Sequence, residues 1–275
     1  MAKNAIYNIN CIEGFMRMCN DGWLQGWHER NGGNLTYRMK AEDIEACRPY
    51  FKAPGEWVNM GVQAENLAGE YFITTGSGKF FRNVEIRPCE SFGIVEINEK
   101  GDSWRIVWGL EGAKPTSEFP SHFMNHSVRK AATNGENRVI YHLHATNVIA
   151  LTYVLPLTDR AFSRALWQSA TECPVVFPEG VGVVPWMVPG GADIAMATSE
   201  LMKTYQAAIW AQHGLFASGP DFDITFGLAH TIEKSAEIYW KVLATGQPIL
   251  QTITDDALRA IAKDFGVQLN EAFLD

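Results

Sequence analysis

The spacing of apolar residues alternates between helical and extended patterns along the chain. Apolar positions such as Ile9, Ile12 and Phe15 recur at helical spacing and predict a helix over residues 9–26. Further helices are predicted at 118–133, 146–154, 159–169, 191–204, 222–245 and 254–265. Short apolar runs predict strands at NLTYRM, YFITT, FGIVEIN, WRIVWGL, RVIYHLH and AAIWAQHG. Strands joined by the short loop EKGDS and mixed with long helices predict an α/β protein whose sheet is at least partly antiparallel.

The segment from Arg48 to Glu70 is the part of the chain with the strongest loop character. It is rich in turn-forming residues and lacks a sustained period. It is nevertheless too apolar for a disordered linker, and no repeat or low-complexity segment divides the chain. We therefore predict a single domain over residues 1–275.

The composition is that of a folded protein, with 47% hydrophobic and 20% charged residues among 275. A formal net charge of −8 argues against a protein that binds nucleic acid, which requires a basic surface. The five cysteines are scattered and form no C-x-x-C pair, which argues against a disulfide framework or a thiolate zinc site. We find no secretory signal and no apolar run long enough to cross a bilayer, so we expect a cytoplasmic protein without a membrane partner.

Two histidines, His142 and His144, lie one residue apart in the predicted strand RVIYHLH. Side chains at positions i and i+2 of a strand share a face, so both imidazoles can reach one metal ion. Catalytic zinc commonly takes three protein ligands and leaves one position open. His213, at the end of the predicted strand AAIWAQHG, is the leading third ligand. The simpler alternative, that these are ordinary polar residues on strands, stays open at this point.

The remaining histidines fit a metal site less well. His122 and His126 are four residues apart on the predicted helix 118–133, but no third ligand is near them in the sequence. Histidines on a helix face are usually polar surface residues, and we expect the same here. His28 and His230 are isolated, and we assign them no role.

Glu118 is the carboxylate that we consider as an acid or base beside the metal. It lies in PTSEFP at the start of the helix 118–133, where Thr116 or Ser117 is the expected N-cap and Pro120 fits the first turn. On local sequence alone, the simpler explanation is a first-turn carboxylate that complements the helix dipole.

Three short stretches combine glycines or hydroxyl residues in a way that suits an anion. They are ERNGGNLT, TTGSGKFF and PTSE, and each can direct backbone N–H groups and small polar side chains at one ligand. None is a Walker A loop or a dinucleotide-binding fingerprint, and each alone is more often an ordinary turn. Together with a candidate metal site they indicate a phosphate pocket, to which Lys79 would add positive charge.

In combination, these stretches resemble the class II aldolase and adducin-head family. The resemblance is carried by WHERNGGNLT, ITTGSGKFFRNV, PTSEFP, HLHATN, TECPVVFPEGVG, PWMVPG and HGLFASGP, and with FGLAHTIEKSAEI it covers nearly the whole chain. It implies a three-layer α/β/α fold with a central mixed, mainly antiparallel sheet, and a fourfold homotetramer. It also implies one zinc ion per subunit and cleavage of a small sugar phosphate to dihydroxyacetone phosphate and an aldehyde.

The resemblance also assigns roles to individual positions. His142, His144 and His213 resemble the zinc ligands, and Glu118 resembles the catalytic acid/base. Glu172, in ATECP, resembles an acidic residue near the aldehyde end of the substrate. The residues that resemble phosphate-binding groups are Asn31, Gly33, Asn34, Gly76, Ser77, Thr116 and Ser117.

Other interpretations remain open at this point. A Schiff-base aldolase needs a lysine in an apolar pocket, which the glycine-rich loop around Lys79 does not obviously provide. Another sugar-phosphate aldolase, or a pentulose-phosphate 4-epimerase that retains both fragments, would use the same metal and the same bond cleavage. An adducin-type interaction module would have no reason to keep the three histidines and Glu118. A zinc hydrolase would lack its H-E-x-x-H signature here and would leave the phosphate loops unexplained.

Overall fold

The computed structural model describes residues 5–275. They divide into two compact units. The first comprises the residues up to Leu143 together with Ser218–Asp223, and the second comprises His144–Ala217 and Ile224–Asp275. Among the described residues, no helix combines the length and the apolar character needed to cross a membrane.

The first unit is built on antiparallel strands. They are β1 (Asn34–Arg38), β2 (Val58–Asn59), β3 (Tyr71–Thr75), β4 (Phe92–Ile97), β5 (Ser103–Gly109) and β6 (Val139–Leu143). Their spatial order is β2-β5-β4-β3-β1-β6, and each neighbouring pair is antiparallel. The predicted β4–β5 hairpin is confirmed. Its loop turns at Gly101, where φ is +68° and a Cβ atom would lie 2.3 Å from the carbonyl oxygen of Ala64.

Four helices accompany these strands: α1 (Asn10–Leu24), α2 (Ala41–Cys47), α3 (Pro88–Ser91) and α4 (Phe119–Ala132). Helix α4 packs on the sheet through Phe119 and Phe123, whose ring centroids lie 6.0 and 5.8 Å from that of Phe72 on β3. These three rings belong to an apolar cluster that also includes Leu67 and Val95. Burial of this helix face fixes α4, and with it the residues at its N-terminus.

The second unit is mainly helical. Its helices are α5 (Thr146–Leu151), α6 (Asp159–Trp167), α7 (Cys173–Val176), α8 (Ala192–Leu201), most of α9 (Phe222–Ala244), and α10 (Asp255–Phe265). Its strands are β7 (Gly182–Val184), β8 (Ala207–Trp210) and most of β9 (Gly214–Gly219). Strand β8 pairs in parallel with β7 and antiparallel with β9.

The predicted α/β class with mixed, mainly antiparallel strand pairing is confirmed. All seven predicted helices are present, each ending within a few residues of its expected bounds. The prediction missed the helices α2, α3 and α7 and the strands β2, β7 and β9. Strand β9 has the sequence GLFASG, whose small residues carry little strand preference, and it is held by its pairing with β8.

Candidate active site

Strand pairing brings the first two candidate residues together. Asn34 on β1 is directly opposite His142 on β6, and His142 is buried. We had expected His144 to lie within this strand, on the same face as His142. Strand β6 instead ends at Leu143, and His144 is the first residue after it. The chain then turns into α5.

His213 lies in a turn and not at the end of a strand, which corrects the prediction for AAIWAQHG. Strand β8 ends at Trp210, and the backbone reverses over residues 211–213 before β9. Gln212 has a φ of +54° in this turn, and Thr152 holds it. The backbone N–H of Gln212 donates to Thr152 Oγ1 at 3.0 Å, and its side-chain N–H donates to the Thr152 carbonyl at 3.0 Å.

The three predicted ligands converge. A ligand nitrogen from each of His142, His144 and His213 lies within 4.8 Å of the other two. The imidazole centroids of His144 and His213 are 5.2 Å apart. Three neutral imidazoles suit zinc and other late divalent ions, so the residues present fit a divalent metal with an open coordination position.

Glu118 lies beside one of these histidines, His142. It is itself the N-cap of α4, where Thr116 or Ser117 had been expected, and its carboxylate makes no capping bond. Instead Glu118 Oε2 accepts a hydrogen bond from Asn34 Nδ2 at 2.8 Å and lies 4.0 Å from His142 Nε2. The position of Glu118 is therefore set jointly by α4 and by β1.

The side-chain oxygen of Asn34, Oδ1, is the second polar atom of its amide group. The residue is buried, and its Oδ1 makes no hydrogen bond with any residue in 5–275. A buried carbonyl oxygen without a donor costs free energy unless another group supplies one. This oxygen can therefore accept a hydrogen bond from a hydroxyl group of a ligand.

The other two candidate phosphate stretches run side by side. Gly76 forms an isolated antiparallel bridge with Pro115. The N–H of Ser77 donates to the Lys114 carbonyl at 2.9 Å, and that of Thr116 donates to the Thr75 carbonyl at 2.8 Å. Ser77 and Ser117 are exposed, while Thr116 is buried. The backbone N–H of Lys79 donates to the Gly76 carbonyl at 3.1 Å and closes the turn of this loop.

The stretch from Asn31 to Asn34 reaches the same region. The N–H of Leu35, the residue after Asn34, donates to Thr75 Oγ1 at 3.2 Å. Gly33 has a φ of +72°, and a Cβ there would lie 2.7 Å from the carbonyl oxygen of His142. A glycine is required at this position because the turn and the close approach both exclude a side chain. Asn31 is exposed at the head of the loop.

Glu172 lies at the N-terminus of α7. It is exposed, it precedes α7 as that helix's N-cap, and it is not one of the three clustered ligands. Its role near the aldehyde end of a substrate stays a prediction.

The expectation that His122 and His126 are surface residues is wrong. Both are completely buried on the face of α4 that meets β1. Thr36 Oγ1 lies 2.8 Å from His122 Nδ1 and 2.8 Å from His126 Nε2. One hydroxyl hydrogen can serve only one acceptor, so Thr36 donates to one ring and accepts from the other. Burial lowers the pKa of His122 to about 3 and lowers that of His126 well below its usual value, so both rings are neutral.

Sequence analysis also missed the contacts that hold the site residues. The bond from Asn34 to Glu118 joins positions 84 residues apart, and the one from Thr36 to His122 joins positions 86 apart. Neither carries a local signal, because each depends on the packing of a helix on a strand far away in sequence. Only the periodicity of α4 could have suggested that its histidines face inward.

A family comparison agrees with this arrangement. Residues 13–240 match the model of the class II aldolase and adducin N-terminal domain. The chain belongs to this family. The class II aldolase family implies a divalent metal, which is the group that the three histidines fit.

Similar proteins of this class II aldolase family include two named rhamnulose-1-phosphate aldolase. The one from Klebsiella pneumoniae subsp. pneumoniae is 49% identical over 265 residues, which is 96% of each chain. One from Escherichia coli is 48% identical over 257 residues, or 93% of each chain. Among solved structures, a sugar-phosphate aldolase from Thermotoga maritima is similar with a TM-score of 0.72 and 24% identity, over 86% of this chain and 95% of the other. An L-fuculose 1-phosphate aldolase has a TM-score of 0.60 and 19% identity, over 97% and 98%. The two structures support the fold alone.

Proposed function

We propose that this protein is a zinc-dependent aldolase that reversibly cleaves L-rhamnulose 1-phosphate to dihydroxyacetone phosphate and L-lactaldehyde. The observation that carries the proposal is the convergence of His142, His144 and His213, with the Glu118 carboxylate 4.0 Å from His142 Nε2. Relatives named for this substrate, aligned over 96% of both chains, support the choice of sugar phosphate.

The reaction breaks a carbon–carbon bond next to a ketone and leaves an electron pair on the dihydroxyacetone phosphate fragment. A divalent cation held by the three imidazoles supplies Lewis-acid stabilisation of that charge, worth several kcal/mol. Neutral imidazoles leave the cation its full double charge. Zinc is the proposed ion because three histidines with an open position are typical of catalytic zinc.

Glu118 moves the proton in this proposal. During synthesis its Oε2 takes the carbon-bound proton from dihydroxyacetone phosphate, and during cleavage it returns that proton to the same carbon. The side-chain N–H of Asn34, which donates to Glu118 Oε2 at 2.8 Å, holds the carboxylate in place. A positioned base of this kind contributes about 10²–10⁴-fold to the rate.

The phosphate is proposed to bind the neighbouring loops. The proposed phosphate-binding residues come from three stretches of the chain. The first contributes Asn31, Gly33 and Asn34, the second Gly76 and Ser77, and the third Thr116 and Ser117. The exposed hydroxyls of Ser77 and Ser117 and the exposed amide of Asn31 can donate hydrogen bonds to an anion. Fixing the phosphate there would hold the reacting carbon near Glu118, so that remote binding energy fixes the geometry of the reaction. Glu172 is proposed to act at the aldehyde end.

Two further properties belong to the proposal. We propose a homotetramer, which analytical ultracentrifugation would test as a species of about four times the 30.7 kDa chain mass. We also propose a cytoplasmic location. All five cysteines are free, which suits a reducing compartment.

The deciding experiment is a panel of ketose 1-phosphates assayed for both products, with and without a chelator. We expect L-rhamnulose 1-phosphate to give dihydroxyacetone phosphate and L-lactaldehyde, and a chelator to abolish both. Elemental analysis of the purified protein should find about one zinc per chain. Conversion without free lactaldehyde would identify an epimerase. An adduct trapped by borohydride, with activity that survives the chelator, would identify a Schiff-base enzyme.

A further inference from the structure

His28, to which the sequence assigned no role, is buried among three parts of the candidate site. The residue is 4% exposed, and its ring stacks on that of Phe81, with centroids 3.7 Å apart and planes inclined by 13°. Phe81 comes directly after the loop that contains Gly76, Ser77 and Lys79. The ring therefore closes against the end of one candidate phosphate loop.

Both ring nitrogens of His28 are used. Nδ1 lies 3.0 Å from the carbonyl oxygen of Gly32, and Nε2 lies 2.7 Å from the hydroxyl oxygen of Tyr141. A carbonyl can only accept, so Nδ1 carries the hydrogen and donates it. In the neutral ring Nε2 is then the acceptor of the Tyr141 hydroxyl.

The space around this arrangement is closed by two glycines. A Cβ on Gly22 of α1 would lie 2.1 Å from the Tyr141 hydroxyl and 2.7 Å from His28 Nε2. A Cβ on Gly33 would lie 2.4 Å from His28 Nδ1. Because Gly22 is inside a helix, where alanine is normally favoured, its absence of a side chain indicates that the site requires the space.

The partners of His28 connect it to chemistry. Gly32 lies within the loop from Asn31 to Asn34, and Tyr141 immediately precedes the metal ligand His142. We propose that His28 is a positioning residue that fixes the loop of residues 31–34 against strand β6 and Phe81, so that the loop is preorganised for the phosphate of the substrate. This inference rests on the phosphate-binding role in the proposed function.

The test is the affinity of the metal-loaded protein for inorganic phosphate, measured by calorimetry and therefore independent of turnover. We compare His28→Asn with His28→Gln. The shorter amide keeps an N–H near the position of Nδ1 and can still donate to Gly32, whereas the longer one extends towards Tyr141. His230→Gln, an exposed histidine on α9, is the matched control.

We expect His28→Gln to weaken phosphate binding by about tenfold and to raise KM more than it lowers kcat. His28→Asn should recover most of the affinity, and His230→Gln should match the wild type. Because the variants keep all three metal ligands, a change in affinity reports on the loop and not on phosphate bound to the metal.

Equal phosphate affinity in the wild type and His28→Gln would overturn the inference, even if the variant melts at a lower temperature. Absence of phosphate binding by the wild type would also overturn it. A wild type that binds phosphate but releases no dihydroxyacetone phosphate from any sugar phosphate would instead refute the proposed reaction and leave the role of His28 intact.

Discussion

At the scale of single residues, Glu118 shows how a side chain takes its properties from distant neighbours. Its carboxylate accepts a hydrogen bond from the side-chain N–H of Asn34 and lies 4.0 Å from His142 Nε2. A glutamine at this position would keep the size and the helix start but would exchange one oxygen for an N–H₂ group that cannot take up a proton. The substitution therefore separates proton transfer from packing.

For Glu118→Gln we predict a fall in turnover of about 10²–10⁴-fold with unchanged metal content and an unchanged melting temperature. Steady-state kinetics on the metal-loaded variant measures the loss. Glu111→Gln is the control, because Glu111 is exposed and pairs with Lys52 on the surface. Near-native turnover in Glu118→Gln would remove Glu118 from the acid/base role.

His122 and His126 predict how acid destabilises the protein. Burial lowers the pKa of His122 to about 3 in the folded state, against about 6.5 in the unfolded chain, and lowers that of His126 in the same direction. Between these values the unfolded chain binds protons that the folded protein does not. The stability that comes from keeping these two rings neutral is therefore fully present above pH 6.5 and is lost as the pH falls towards the pKa values of the folded state.

We expect the free energy of unfolding of the metal-free protein to fall below pH 6.5, by about 1.4 kcal/mol per pH unit for each of the two histidines. His126→Phe should make this dependence shallower by about one proton, because one of the two rings is then absent. Urea denaturation at several pH values measures the slope. An identical slope in the variant would show that His126 does not contribute.

At the scale of elements, the short helix α5 depends on a carboxylate from another helix. Its N-cap is Ala145, which has no side chain that could accept a hydrogen bond from the first turn. The buried carboxylate of Glu233 on α9 replaces it. It accepts from the backbone N–H groups of Asn147 and Val148 at 3.0 Å each, and from Asn147 Nδ2 at 2.8 Å. The turn that follows His144 is held in this way.

We predict that Glu233→Gln lowers the free energy of unfolding by about 1–3 kcal/mol, since an amide N–H₂ group would face backbone donors. Glu237→Gln, one turn further along α9, changes a half-buried carboxylate that makes only ion pairs with the exposed Lys234 and Lys241, and it should change the free energy of unfolding by less than about 1 kcal/mol. Chemical denaturation measures both variants. Equal stabilities would show that α5 does not need the carboxylate.

At the scale of the whole molecule, the metal and the fold should be coupled. A ligand that binds only the folded state stabilises it by mass action, by about 2.7 kcal/mol when its concentration is one hundred times its dissociation constant. In a protein of this size that corresponds to roughly 2–4 °C in melting temperature for each kcal/mol.

We therefore expect zinc to raise the melting temperature of the metal-free wild type and a chelator to reverse the change. His144→Ala should lose most of this shift and should also lower the metal content found by elemental analysis. Thermal denaturation followed by circular dichroism measures the shift. A full shift in His144→Ala would exclude His144 as a ligand.

How much of this could be predicted from the sequence depends on the range of the interactions. Helices such as α4 and α9 follow from the periodic burial of one face, and the β4–β5 hairpin follows from a short turn between two apolar runs. Strand β9 did not follow, because four of its six residues are glycine, alanine or serine, which have little strand preference, and its pairing with β8 is a tertiary contact. His213 was predicted at the end of a strand because no local pattern distinguishes a strand end from the turn over residues 211–213.

The sequence by itself determined the α/β class, the apolar faces and the types of side chain available for a metal and an anion. These depend on periodicity and on residue chemistry, which neighbours along the chain already carry. Only the tertiary structure decided that Asn34 holds Glu118, that His122 and His126 are buried around Thr36, and that His28 joins Gly32 to Tyr141. The groups in each of those contacts are brought together by the burial of apolar faces elsewhere or by a backbone turn. No local pattern of residues therefore predicts these contacts.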